Sequence, residues 1–190
     1  NVMGAVTSPF MTKMMATNLA LYQSGEGVSA SGVFYQAGSQ YSIIASPFEA
    51  GWRCPTGSGI TGGLIIAVLL FSKRDDFKAI AKLAIPCGIF NINEPIIFGI
   101  PMVMNPMFAV PFFLAPLACA SLGYLVQYLG LCPLFVISVP WTTPVGLFGF
   151  LASSGNIMGG IWQAVIIIGA STLIYTPFVI AANRQEEAAA

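Results

Sequence analysis

Long apolar runs alternate along the chain with stretches that are polar or interrupted by proline and glycine. Two runs, 161–182 and 107–128, are long enough to cross the hydrocarbon layer of a bilayer, which takes about 20 helical residues. A third apolar run over 59–71, together with the glycine-rich turn before it, predicts a further span. This pattern predicts an all-α integral membrane protein built from transmembrane helices.

Two apolar segments between these runs, 85–106 and 132–150, are rich in residues that interrupt helices. Proline removes a backbone N–H and breaks helix continuity, and in lipid a broken backbone survives only beside protein or a water-filled cavity. We therefore predict two re-entrant hairpins whose tips meet at a binding site near the membrane midplane. The residues that support this prediction are Pro86, Gly88, Pro95, Gly99, Pro101, Pro106, Pro133, Pro140, Pro144, Gly146 and Gly149.

The N-terminal third has a different character. Residues 1–22 predict a helix in which Lys13 is the only charged residue. Residues 23–46 are rich in Gly, Ser and Gln, and they predict a polar loop or an amphipathic surface stretch.

The composition agrees with a membrane protein and excludes several other classes. Charged residues are 7% of the 190 and hydrophobic residues 56%, whereas a soluble domain has about 25% charged residues. The formal net charge is zero, so the electrostatic signature of a nucleic-acid-binding protein is missing. The apolar content is too high for intrinsic disorder.

Most basic residues lie in one short segment after the apolar run 59–71. Four cations, Lys73, Arg74, Lys78 and Lys82, surround two acids there and predict a loop followed by a surface helix. Cations beside a span favour the cytoplasmic face. With two full crossings after this segment, residues 184–187 are predicted on the same side.

Glu94 is the only Asp, Glu, Lys or Arg between residues 83 and 183, and it lies in Asn91-Ile-Asn93-Glu94-Pro95. A carboxylate at membrane depth costs about 2.5–3.5 kcal/mol on insertion scales, so it normally faces a polar cavity or a partner. The pattern favours a polar ligand site formed by Glu94, Asn91 and Asn93. The alternative is a carboxylate at a loop tip outside the bilayer.

A second candidate is the sequence VPWTTP at 139–144, in the other proline-rich segment. The flat face of Trp141 suits the C–H face of a pyranose, and the Thr142 hydroxyl adds a hydrogen-bonding group. The alternative is a tryptophan of the interfacial aromatic belt.

Other chemistry finds little support. The chain has no His, and its four Cys are widely spaced, so we predict no metal site and no cofactor. The turn GSGITG at 57–62 formally matches G-x-G-x-x-G, but an apolar helix follows it, which indicates close helix packing rather than nucleotide binding. Without a His there is no catalytic triad, and Glu94 has no second carboxylate nearby in sequence for glycoside hydrolysis.

The run from Leu83 to Pro106, LAIPCGIFNINEPIIFGIPMVMNP, resembles the membrane subunit of bacterial phosphotransferase-system sugar permeases. The similarity is to the lactose, cellobiose and chitobiose class of enzyme IIC components. Further matches are GSG at 57–59, FSKR at 71–74 and VPWTTP at 139–144. The resemblance extends over essentially the whole chain.

This resemblance implies a multi-pass protein of the bacterial inner membrane that carries a disaccharide, which is phosphorylated by the phosphorylated IIB component. Residues 1–190 would be its C-terminal, substrate-binding part, and the absent N-terminal half would hold the homodimer contacts and a pocket histidine. The resemblance assigns the sugar contact, and a candidate role as base, to Glu94, and it matches Trp141 to the tryptophan of the second hairpin. Cys54 is not the phosphorylated cysteine, which belongs to IIB, so this chain would carry no phosphorylated residue of its own.

The residues by themselves leave two other functions open. A secondary transporter of a small polar solute could use Glu94 as a proton-coupled carboxylate. A membrane scaffold that transports nothing would need no ligand at all.

Overall fold

The computed structural model describes residues 2–26, 28–29, 32–36, 38–100, 102 and 105–189. Helices make up 67% of the structure, which confirms the predicted all-α class. In chain order the helices and strands are α1 (Val2–Ser24), β1 (Val28–Ser29), β2 (Gly32–Val33), α2 (Ser46–Phe48), a π-helical turn (Glu49–Arg53), α3 (Gly62–Phe71), α4 (Asp75–Ile89), α5 (Glu94–Gly99), α6 (Pro106–Tyr128), α7 (Leu147–Ala152), α8 (Ile157–Ala164), a π-helical segment (Val165–Ala170) and α9 (Ser171–Ala189).

Two helices match the predicted long spans. One is α6, with 23 residues, and the other is the continuous helix Ile157–Gln185, with 29 residues, which runs from α8 through the π-helical segment into α9. Only 28% of the most apolar window of each is buried, whereas the core helix of a soluble domain would be mostly buried. Large apolar side chains such as Phe113 and Leu173 remain exposed. Both helices are therefore long and apolar enough to cross a membrane.

The third predicted span is too short to cross alone. Helix α3 has 10 residues, which at 1.5 Å per residue gives about 15 Å, half of the hydrocarbon thickness. The glycine-rich turn that we included in this span is not helical: Gly57 and Gly59 have positive φ angles of 86° and 79°. The prediction of a helix is correct, but its extent as a span is wrong.

Helix α9 holds α3 at both ends. At the N-terminal side the buried Tyr175 hydroxyl donates to the Gly59 carbonyl at 2.7 Å. At the C-terminal side the Asn183 amide donates to the Phe71 carbonyl at 2.8 Å and accepts from the Lys73 N–H at 2.9 Å. The end of α9 therefore lies beside the basic segment, on the side where the crossing count predicts it.

The first proline-rich segment is more helical than predicted. Helix α4 continues through Pro86 to Ile89, and the break before α5 is limited to residues 90–93. Pro86 and Lys82 both lie on the exposed side of α4, so the proline ring and the carbonyl that loses its donor point away from the core. Pro101 lies outside the described residues.

The second proline-rich segment is irregular, as predicted. The described chain has no helix from residue 129 to residue 146, and α7 starts at Leu147. This loop is held to the core by Phe135, which stacks on Trp52 with ring centroids 5.4 Å apart. Trp52 is completely buried and lies against Gly123 of α6, where a Cβ atom would come within 2.3 Å of the indole.

The N-terminal third also agrees with the prediction. Residues 1–22 were predicted helical, and α1 covers Val2–Ser24. The polar stretch after it contains one antiparallel pair, β1 and β2, among its described residues. Asn18 of α1 fixes this stretch, because its amide donates to the Ser42 carbonyl and accepts from the Ser42 N–H at 2.7 and 2.9 Å.

Candidate functional site

A polar cavity of about 430 Å³ opens where three separate segments meet. Its volume lies within the range of about 300–1,000 Å³ that is typical of small-molecule sites. The segments are the stretch from α2 to the glycine-rich turn, the break between α4 and α5, and the loop before α7. The lining residues are Ser46, Glu49, Ala50, Cys54, Gly57, Ser58, Asn91, Asn93, Glu94 and Trp141.

A second cavity, of about 370 Å³, lies between α3, α4 and the π-helical segment before α9. Its walls are mainly aliphatic, with Ile65, Leu69 and Ile85 among them, and it has no acid or amide side chain. Specific recognition of a polar ligand needs polar groups that converge on it. The polar cavity is therefore the candidate site.

Four of the five residues predicted from the sequence line the polar cavity: Asn91, Asn93, Glu94 and Trp141. Thr142 does not line it, although it is exposed and follows Trp141 directly. The two candidate motifs, which are about 50 residues apart in sequence, are therefore brought together by the fold.

The side chain of Asn91 connects the three segments through hydrogen bonds. Its Oδ1 accepts from the Thr56 N–H at 2.6 Å, and its Nδ2 donates to the carbonyls of Trp141 and Thr143, the latter at 2.9 Å. The residue has a left-handed φ of 65°, which asparagine tolerates better than most residues. Both amide protons are used within the protein, so Asn91 has no donor left for a ligand.

Asn93 connects the same break to the glycine-rich turn. Its Nδ2 donates to the Ser58 carbonyl at 2.7 Å. The close approach requires glycine at position 57, where φ is 86° and a Cβ atom would come within 2.4 Å of the Asn93 side chain. The glycine motif at 57–62 therefore serves close packing, as the sequence indicated.

Glu94 is the first residue of α5 and is followed by Pro95. It is exposed, and among the described residues it has no ion-pair partner. Its carboxylate lines the cavity together with the Trp141 side chain, which is 64% exposed. An acceptor-only group beside a flat aromatic face is an arrangement that can bind a polyhydroxylated molecule.

Sequence reasoning missed the wall formed by residues 46–58. Glu49 lines the cavity from the π-helical turn and accepts a hydrogen bond from Arg53 four residues later. In sequence this pair resembles an ordinary surface ion pair of a helix, and nothing in it indicates a cavity. Cys54 also lines the cavity.

The fold and the cavity define a class: a helical protein with long apolar helices and a polar, acidic cavity at the breaks between shorter ones. Residues 1–116 match the family described as "Phosphotransferase system, EIIC". The chain belongs to this family.

Individual relatives agree with the family match. The chain is 36% identical over 187 residues to the lichenan permease IIC component of Bacillus subtilis (strain 168). This alignment covers 98% of the chain and 38% of the relative. It is 43% identical over 135 residues to the cellobiose-specific EIIC component of Lactococcus lactis subsp. lactis (strain IL1403), covering 69% of this chain and 26% of the relative.

A solved structure has the same fold. The structure superimposes on the crystal structure of the transporter ChbC, the IIC component from the N,N'-diacetylchitobiose-specific phosphotransferase system, with a TM-score of 0.82 and 34% identity. The match covers 97% of this chain and 40% of that one. The chain thus spans about two fifths or less of the length of these proteins.

Proposed function

We propose that the chain is the sugar-binding part of a IIC-type permease subunit, which carries a disaccharide across the bacterial inner membrane while the sugar is phosphorylated. One observation carries this proposal: Glu94 and Trp141, from different segments, line one cavity. The names of the similar proteins, which refer to lichenan, cellobiose and N,N'-diacetylchitobiose, support a β-linked disaccharide as the substrate.

The chemistry of the cavity suits a neutral sugar. The Glu94 carboxylate can accept hydrogen bonds from two adjacent hydroxyls, and charge-assisted bonds of this kind are about twice as strong as neutral ones. Trp141 offers its face to the apolar side of a sugar ring. The amides of Asn91 and Asn93 are used largely to hold the walls together, so we now assign them mainly to positioning rather than to direct sugar contact.

We further propose that the segments before α5 and before α7 form the tips of two re-entrant hairpins in a multi-pass protein. Support comes from the breaks at residues 90–93 and 129–146, and from the two helices of spanning length. Irregular backbone at membrane depth is stable only beside protein or a cavity. Both breaks lie at the polar cavity, as that requirement demands.

The phosphoryl group would come from a phosphorylated IIB component. A sugar hydroxyl attacks phosphorus, the bond from phosphorus to IIB breaks, and the hydroxyl proton passes to a base. Glu94 is the candidate base within this chain, and the histidine that the family resemblance assigns to the N-terminal half is the other. That half would also supply the homodimer contacts.

The test uses the full-length subunit in vesicles, with cellobiose, N,N'-diacetylchitobiose and lactose as ligands. We expect binding of at least one sugar, and a loss of about 1.5–3 kcal/mol of binding free energy in Glu94→Gln, which corresponds to about 10- to 150-fold. With phosphorylated IIB outside, on the cytoplasmic face of inverted vesicles, the transported sugar should be recovered phosphorylated.

Three other outcomes would contradict the proposal in different ways. Transport of unmodified sugar would indicate a secondary transporter. If no sugar binds, the remaining hypothesis is a membrane scaffold that transports nothing. Wild-type affinity and wild-type phosphorylation in Glu94→Gln would show that Glu94 contributes neither to sugar binding nor to phosphorylation.

A further inference from the structure

The polar cavity has a second carboxylate, which the sugar proposal does not use. Glu49 lines the cavity from the π-helical turn, and Glu94 lines it from the first residue of α5. A carboxylate at this position, on the wall of a ligand-sized cavity, is placed to contact a ligand as well as its local ion-pair partner.

Only one oxygen of Glu49 is occupied. Oε1 accepts from the guanidinium of Arg53, and among the described residues no donor contacts Oε2. The Glu49 side chain is 30% exposed, and Arg53 is not among the residues that line the cavity. The ion pair therefore uses one oxygen of a carboxylate at the cavity wall, and the second oxygen has no donor among the described residues.

The backbone of this turn is fixed by buried groups. Trp52, between Glu49 and Arg53, is completely buried and stacks on Phe135 at 5.4 Å with an interplanar angle of 3°. The Gly51 carbonyl accepts from the buried Gln163 amide at 2.9 Å. A group on a rigid backbone loses little conformational freedom when it binds a ligand, so its hydrogen bond contributes more fully to affinity.

We propose that Glu49 binds the sugar directly, at a different hydroxyl from the one that Glu94 contacts. This proposal rests on the proposed function, because it concerns the same cavity and the same ligand. Two carboxylates from separate walls would select a neutral molecule with hydroxyl donors on two sides. Arg53 offsets the charge of Glu49, so the cavity does not confront the ligand with two unpaired anions.

An exposed ion pair is worth about 0–1 kcal/mol, so a purely structural role for Glu49 predicts little change in binding when the pair is broken. Direct contact predicts a loss of a charge-assisted hydrogen bond instead. The two roles differ in a way that variants and modified sugars can separate.

The experiment measures cellobiose binding to the full-length subunit, and repeats it with monodeoxy cellobioses. We expect Glu49→Gln to weaken cellobiose binding by about tenfold or more. Arg53→Gln, which breaks the same ion pair but keeps the carboxylate, should weaken it by less than about threefold. Glu26→Gln, an exposed acid that does not line the cavity, should bind as the wild type does.

The monodeoxy cellobioses show whether Glu49 contacts a sugar hydroxyl directly. One monodeoxy analogue should bind weakly to the wild type, yet lose little further affinity in Glu49→Gln, because the missing hydroxyl and the missing carboxylate form one contact. A different analogue should show this coupling with Glu94→Gln. The unfolding midpoints of all variants are measured in parallel. Binding of the monodeoxy cellobioses to the wild type can be interpreted even if one variant folds poorly.

The outcomes separate this inference from the function on which it rests. If the wild type binds cellobiose and only Glu94→Gln weakens it, the Glu49 proposal is wrong and the sugar function stands. Equal losses in Glu49→Gln and Arg53→Gln without coupling to any hydroxyl would also overturn it. If the wild type binds no sugar, the proposed function itself fails.

Discussion

Individual tryptophans differ sharply in what they contact. Trp141 is 64% exposed at the polar cavity, whereas Trp52 is completely buried between Phe135 and Gly123. We therefore expect the removal of Trp141 to lower the affinity for sugar, and the removal of Trp52 to lower the stability of the fold.

We expect Trp141→Ala to weaken sugar binding by about 1–3 kcal/mol, as for a binding hot spot, and to leave the unfolding midpoint unchanged. We expect Trp52→Ala to destabilise the fold by about 3–5 kcal/mol, because it leaves a cavity in the core. Calorimetric titration with cellobiose and thermal unfolding of the same samples measure both quantities. Equal losses of affinity in two variants that stay folded would leave Trp141 with no special role.

Asn91 is the second residue for which the structure changes the expected role. Asn91→Asp keeps the acceptor for the Thr56 N–H but removes both donors, so the carbonyls of Trp141 and Thr143 lose their partner. We expect a stability loss of about 1–3 kcal/mol and a more mobile Trp141. Fluorine NMR of the subunit labelled with 5-fluorotryptophan reports that mobility as a narrower Trp141 resonance, which Trp141→Phe identifies.

Ser58 offers a comparison for this test. Ser58→Ala removes a cavity hydroxyl but keeps the carbonyl that Asn93 binds, so the Trp141 resonance should not change. A variant Asn91→Asp that loses sugar affinity with an unchanged Trp141 resonance and unchanged stability would mean that Asn91 contacts the sugar directly.

At the scale of helices, the apolar pattern predicted α1, α6 and the helix Ile157–Gln185 well because their lengths are set by apolar runs. It overestimated the effect of Pro86, since a proline on the exposed side of a helix disturbs only outward-facing backbone. It also extended α3 backwards into a turn whose left-handed glycines are recognisable only in three dimensions. The cavity wall at residues 46–58 was unpredictable for a similar reason: its partners are distant in sequence.

The start of α4 provides a prediction for pH. Hydrogen bonds from the Arg74 guanidinium, at 2.6 and 3.1 Å, are the main cause that holds the pKa of Asp76 below its usual range. The lower pKa in the folded state means that this stabilisation is present above the unfolded pKa of about 3.9, and is lost as the pH falls through the folded value. The side chain is 55% exposed, so we expect less than about 1 kcal/mol.

Unfolding of Asp76→Asn should accordingly depend less on pH below about pH 4 than unfolding of the wild type. Asp75→Asn is the matched control, since Asp75 has no ion pair among the described residues. Identical pH dependence of the wild type and Asp76→Asn would show that the Arg74 contact contributes nothing in solution.

For the whole molecule, the two ends of the helical bundle can be told apart. The start of α6 lies by the basic segment, because Phe108 packs against Phe77 with ring centroids 6.2 Å apart. Tyr128, at the other end of α6, packs against Tyr35 of the polar stretch at 5.6 Å. Lys78 and Leu131 therefore lie near opposite ends of this helix.

We expect a cysteine at Lys78 to react with an impermeant maleimide only from the cytoplasmic face, and one at Leu131 only from the other face. The physical reason is the preference of clustered cations for the cytoplasm. The measurement is labelling of intact cells and of inverted vesicles, in a background in which the four native cysteines are replaced. Periplasmic labelling at position 78 would reverse the proposed orientation.

The hydrogen bonds of Asn91 also have a consequence for the proposed carrier function. A carrier exposes its site first to one side and then to the other, so something has to move relative to something else. The three walls of this cavity are joined at Asn91, and Gln163 joins the turn at Gly51 to the N–H groups of Gly146 and Gly149. We therefore expect the whole binding site to travel as one piece with its cargo, and the sliding surface to lie outside it.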